Sequence, residues 1–194
     1  MFRVFLTVLF VGALSNTSFS APDDRGQRGT YLALSGSLAT GTADDDRGRS
    51  AGSHLGHSYH LRFGEEVFDR LTLGMMLTGG TARANQDLYD VFFGGLLVDL
   101  SWQFMSDVPL SLLIATGLGG ASIDSVGEDG FTGTVAGAIH VIGMQYDFHW
   151  RQSSGAQWTL SPCLRAQFLP SSGDALAQVT TWSVGVETAW SWGR

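Results

Sequence analysis

Five ionisable residues set the first question: Arg62, Asp99, Asp147, Arg165 and Glu187. Asp99, Asp147 and Glu187 each stand three residues before a tryptophan, namely Trp102, Trp150 and Trp190. That repeat places the three carboxylates at one level, on faces that also carry Arg62 and Arg165. Carboxylates crowded into a narrow interior repel unless paired or protonated. The expected chemistry is ion pairing, a structural charge network rather than a catalytic one.

Other reactive types yield less. His54, His57 and His60 look like metal ligands. On a strand, however, His54 and His60 share a face about 20 Å apart while His57 faces the other way, so they read as scattered histidines. Asp44-Asp45-Asp46 could take divalent cations but reads as a solvated acidic loop. Gly117-Leu118-Gly119-Gly120 is no nucleotide loop, because no helix follows to hold a phosphate. Cys163, the only cysteine, allows no disulfide within the chain and reads as inert packing. No catalytic residue, cofactor or metal site is expected.

The elements that carry these residues are strands. From Phe92 to Phe104 the even positions are apolar apart from Gly94, while Asp99, Ser101 and Gln103 lie between them. Such period-2 alternation marks a strand with two unlike faces. After Met105–Val108 it resumes through Leu110, Leu112, Ile114 and Leu118. The same pattern predicts strands at Thr30–Ala39, His54–Phe63, Leu71–Thr78, Thr132–Trp150, Gln157–Leu169 and Gln178–Trp192, eight in all. Long breaks follow the odd-numbered strands: Thr40–Ser53, Gly79–Leu88, Gly119–Gly130 and Pro170–Ala177. Short breaks follow the even-numbered ones, including Gly64–Arg70 and Arg151–Gly155. Pro162 is an irregularity, since proline removes a ladder bond.

The 194 residues suit one domain, and a net charge of -7 argues against nucleic acid, which needs a basic face. All eleven basic residues are arginine. Arg3, the apolar run Val4–Leu14 and Ser18-Phe19-Ser20 read as a secretory signal peptide. The expected organisation is residues 1–20 as signal peptide, 21–29 as a short N-terminal segment and 30–194 as a β-barrel.

An even number of antiparallel strands can close without an exposed edge. Three features favour an apolar face turned outward to lipid. The breaks alternate long and short, as in outer-membrane barrels. Trp102, Trp150, Trp158, Trp190 and Trp192 gather at the short-turn end, as an interfacial aromatic girdle would. The charges sit on the opposite face, and a charge facing lipid costs about 2–4 kcal/mol at mid-depth.

On this pattern, over about Thr30–Trp192, the chain resembles the small eight-stranded bacterial outer-membrane barrels of the OmpA and OmpX type. The resemblance implies an all-β, antiparallel, up-and-down transmembrane barrel in the bacterial outer membrane. It also implies contact with outer-membrane lipids and lipopolysaccharide, and delivery by the barrel assembly machinery. Members usually end on an aromatic residue which that machinery reads; here Gly193-Arg194 follow Trp192. The His-x-Ser pair of the lipid A deacylases is absent. Asp124-Ser125 does not match the loop placement of the palmitoyltransferase barrels. The expected function is a structural or surface-interaction role; the alternatives are a lipid A-modifying barrel enzyme and a narrow pore. The charge network is expected in the periplasmic half, as a plug.

Overall fold

The computed structural model of the chain describes residues 29–44, 50–84, 89–125, 133–151, 156–170 and 178–193. The expected signal peptide, Asp45 and Asp46 lie outside the described residues. Nine strands form one antiparallel sheet: β1 Gly29–Asp44, β2 Ser50–Phe68, β3 Leu71–Ala84, β4 Tyr89–Gln103, β5 Leu110–Ser125, β6 Gly133–Tyr146, β7 Phe148–Arg151, β8 Gln157–Pro170 and β9 Gln178–Gly193. Apart from β6 and β7, neighbours in sequence pair in space; β1 also pairs with β9, and β6 pairs with β8, so the sheet closes.

β6 and β7 are two halves of one spanning strand. β6 pairs with β8 down to Gln145↔Cys163, and β7 resumes in the same register at Phe148↔Leu160. Tyr146 and Asp147 therefore stand opposite Pro162 and Ser161, and the ladder lapses where Pro162 has no N–H to give. The Asp147 amide turns instead to the Pro109 carbonyl at 2.7 Å. The barrel thus has eight spanning strands.

Paired residues trace a closed row: Tyr31, Gly64, Gly74, Asp99, Ala115, Val141, Gln167, Thr181 and back to β1 at Gly41. The row returns ten residues nearer the loop end than it began, the stagger that tilts the strands of a closed barrel. An interior this narrow is filled by side chains.

Alternation translates directly into burial. Along β1, Tyr31, Ala33, Ser35, Ser37 and Ala39 are buried, while Leu32, Leu34 and Leu38 are exposed on the outside. Exposed leucines form a row around much of the barrel: Leu34, Leu61, Leu77, Leu96 and Leu118, each paired with the next. Every apolar face read from the sequence is the outer face.

The strands run longer than the alternation predicts. β1 continues to Asp44 and pairs with β2 as far as Ser50, so most of the expected loop Thr40–Ser53 is hairpin. Likewise β3 continues to Ala84 and β5 to Ser125, into the expected loops Gly79–Leu88 and Gly119–Gly130. Hydrogen-bonded ladders persist there without apolar alternation, because the outward positions are small or polar. At the opposite end β2 reaches Phe68, with a bulge between Glu66 and Phe68, and Asp69-Arg70 make the turn. Arg70 adopts φ 68°, an uncommon conformation for a side-chain-bearing residue.

Candidate functional site

The candidate site is the barrel interior, whose polar side chains come from inward positions on all eight spanning strands. Arg62 on β2 reaches two carboxylates. Its Nη2 and Nε donate to Asp99 Oδ2 on β4 at 2.7 and 3.0 Å, and its Nη1 donates to Glu187 Oε1 on β9 at 2.8 Å. Arg165 on β8 donates through Nη2 to Glu187 Oε2, and through Nη1 to Ser35 Oγ at 2.6 Å and His60 Nδ1 at 3.0 Å. The chain of charges therefore runs Asp99, Arg62, Glu187, Arg165. It spans the lumen, and all four residues are 2% exposed or less.

Two positive and two negative charges balance in this layer. Buried ion pairs repay their desolvation only with good geometry and further hydrogen bonds; these have several, although Asp99 Oδ1 and Arg165 Nε find no partner among the described residues. Tyr31 donates from its hydroxyl to Asp99 Oδ2 at 3.1 Å, and the Arg62 guanidinium lies 5.4 Å from the Tyr31 ring centroid. Ser35 Oγ lies 3.1 Å from His60 Nδ1. Since His60 Nδ1 accepts from Arg165, the ring carries its proton on Nε2. Tyr31, Ser35 and His60 join the network with no sequence signal beyond their inward positions on β1 and β2.

Asp147 stands apart from the ion pairs, against the expectation that it joins them. Its Oδ2 accepts from Ser111 Oγ at 2.6 Å, and its Oδ1 accepts from Ser161 Oγ at 2.6 Å and Gln145 Nε2 at 3.0 Å. The cause is the stagger. Asp147, Ser161 and Glu187 share one row, and rows climb toward the loop end as they pass to later strands. Asp147 lies earlier along that row, so it sits below Glu187, nearer the short turns. Distance from a tryptophan along the strand is therefore not height in the barrel.

Toward the loop end the lumen turns apolar on one side. Val91, Leu97, Ile123, Ile139 and Val141 are buried there in one cluster on β4, β5 and β6, which Leu113, paired with Ser101, extends down toward the short turns. The expected small or polar lining holds better on β1, β2, β8 and β9. Among the described residues, no three metal-ligating side chains gather. His57 is exposed on the outer face, and His54 is described only in its backbone. Cys163 is buried on the inner face, and Asp124 is exposed above the apolar band, paired in register with Asp90.

Outside, Trp150, Trp158 and Trp190 occupy one row on adjacent strands, and Trp158 and Trp190 stack at 5.9 Å with 7° between planes. Trp192 packs edge-on to Trp190 at 5.4 Å, and Trp102 is exposed at the same end. A second aromatic level, not anticipated from the sequence, lies nearer the loops: Trp182 edge-on to Phe168, with Tyr59 and Phe92 exposed. Trp182 and Trp190 are eight residues apart on β9. That is about 27 Å along a strand and about 20 Å along the axis at the usual tilt, comparable with the roughly 25 Å apolar band of membrane barrels.

No family model matches the chain, and no curated protein matches its sequence. Solved structures do. The fold aligns with Neisserial surface protein A over 82% of this chain and 95% of that one, at 17% identity and a TM-score of 0.54. It aligns with Ail, the attachment invasion locus protein of Yersinia pestis, over 82% of this chain and 97% of that one, at 13% identity and a TM-score of 0.55. At these identities the likeness is one of architecture, and that architecture is the small eight-stranded outer-membrane β-barrel.

Proposed function

We propose that the chain is a bacterial outer-membrane protein with a structural or surface-interaction role. In this reading residues 1–20 are a signal peptide, and 21–29 lead into the barrel. The barrel is inserted by the assembly machinery and sits among lipids and lipopolysaccharide. One observation carries the reading: an outer face that is apolar around most of the barrel between two aromatic levels, interrupted by Thr188 and by the Thr116–His140 pair, around an interior closed by charge pairs. A water-soluble barrel exposing that face would be an aggregation liability. The Asp99–Arg62–Glu187–Arg165 layer plugs the lumen and speaks against a conducting pore. The hairpins beyond Trp182 and Phe92 face outside and are the parts that meet partners.

Cell fractionation tests this. The protein should be recovered with the outer membrane and migrate differently in SDS gels before and after boiling. Recovery from the soluble periplasm would overturn the proposal.

A further inference from the structure

We propose that Thr116 and His140 form a seat on the lipid-facing wall for one outer-leaflet glycolipid, held through an amide-linked hydroxyacyl chain. The proposal rests on the membrane reading above. The two residues face each other across β5 and β6 on the outer surface, both exposed, with Thr116 Oγ1 2.9 Å from His140 Nδ1. Ionisable side chains facing hydrocarbon are costly and rare, and mark functional sites where they occur. His140 lies ten residues from Trp150, about 33 Å along the strand and about 24 Å along the axis at the usual tilt. It also pairs in register with Phe168, which packs edge-on to Trp182. The pair therefore stands at the upper aromatic level, where hydrocarbon meets headgroup.

The hydrogen-bonding capacity of the pair sets the ligand. A neutral imidazole carries one donor and one acceptor, and a hydroxyl serves as both. In either tautomer their contact uses one donor and one acceptor, and one of each is left facing the lipid. A phospholipid ester offers acceptors alone, whereas an amide with a neighbouring hydroxyl offers both. Shape agrees with this. Above the pair the outward residues of β5 and β6 are small, namely Gly120, Ala136 and Ala138, and Leu118, 75% exposed, stands opposite Ala138. Phe168 flanks His140 on the other side. Below, Ile142 and Met144 are exposed and apolar. A sugar rests on the small residues, the amide and hydroxyl meet His140 and Thr116, and the acyl chain runs down over Ile142.

The test is native mass spectrometry of the folded barrel, taken from phosphatidylcholine vesicles into detergent with lipid A, whose acyl chains include amide-linked 3-hydroxyacyl groups. One lipid A should stay bound. Thr116→Val combined with His140→Leu should lower the bound fraction roughly tenfold, the worth of two modest hydrogen bonds. Thr188→Val, which removes the other polar break in the outer face, should leave it unchanged. Both changes face outward, and an unaltered shift on boiling in SDS gels confirms that the variants fold. Monophosphoryl lipid A should bind as well as the diphosphorylated form, and phosphatidylglycerol should bind about tenfold less. Equal retention of lipid A by the wild type and the double variant would overturn the seat while leaving the membrane placement standing. Loss of binding with the phosphate, or equal binding of phosphatidylglycerol, would overturn the amide and hydroxyl assignment. Failure of the protein to enter the vesicles would overturn the membrane reading as well.

Discussion

Arg62 and Glu187 stand 125 positions apart in the chain and meet at 2.8 Å inside the barrel. They sit on β2 and β9, separated by β1, so closure of the sheet is what brings them together. Glu187 is also the acceptor for Arg165, so both arginines share it.

Removing a partner should therefore cost more than removing the group. Arg165→Ala leaves Glu187 half-compensated and Ser35 and His60 without their donor, and should destabilise by about 3–5 kcal/mol. Adding Glu187→Gln should recover part of that loss. Urea midpoints of the single and double variants in detergent decide it. An unchanged midpoint for Arg165→Ala would show that the layer carries no stability.

A glycine pair makes room for the same layer. Tyr31 lies across Gly64 and Gly74, and a Cβ on Gly74 would meet the Tyr31 hydroxyl and approach Asp99 Oδ1 to 3.0 Å. Gly74→Ala should cost about 1–3 kcal/mol by overpacking. Gly36, on the outer face with nothing within 4 Å of an added Cβ, is the control. Gly36→Ala should shift the midpoint by no more than about 0.5 kcal/mol.

Asp147 clasps three strands where the ladder lapses, through Ser111, Gln145 and Ser161. Asp147→Ala leaves three buried polar groups short of a partner and should cost about 3 kcal/mol. Hydrogen exchange should localise the damage, with amide protection falling at Phe148 and Leu160 before it falls at Leu34. Uniform loss of protection would show that Asp147 is no local clasp.

Arg70 turns the β2–β3 hairpin at φ 68°. Arg70→Gly should be tolerated, because glycine adopts that conformation freely. Arg70→Val, branched at Cβ, should cost about 1–2 kcal/mol. Thermal midpoints of the two variants read the difference.

Much of this architecture was legible because a barrel wall is one residue thick. Leu32 and Ala33, or Leu96 and Leu97, differ in face by position alone, so alternation assigned inside and outside along every strand. What alternation does not carry is stagger. Asp147 and Glu187 each precede a tryptophan by three residues, yet they differ in height because rows climb around the barrel. The hairpins above the band look like loops in the sequence because Thr40, Gly79 and Gly119 continue ladders without apolar contrast. Leu97, Leu113 and Ile139 fill the lumen from inward positions, where apolar residues on both faces blur the pattern.

The account depends most on the outer face lying in lipid. Spin labels placed singly at Leu96, Leu97, Val98, Asp99 and Leu100 in vesicle-reconstituted protein measure this directly. Oxygen collision rates should be high at Leu96, Val98 and Leu100 and low at Leu97 and Asp99, with a water-soluble nickel reagent excluded from the first three. Nickel access at Leu96, Val98 and Leu100, or an absence of period-2 contrast, would contradict a membrane-spanning barrel.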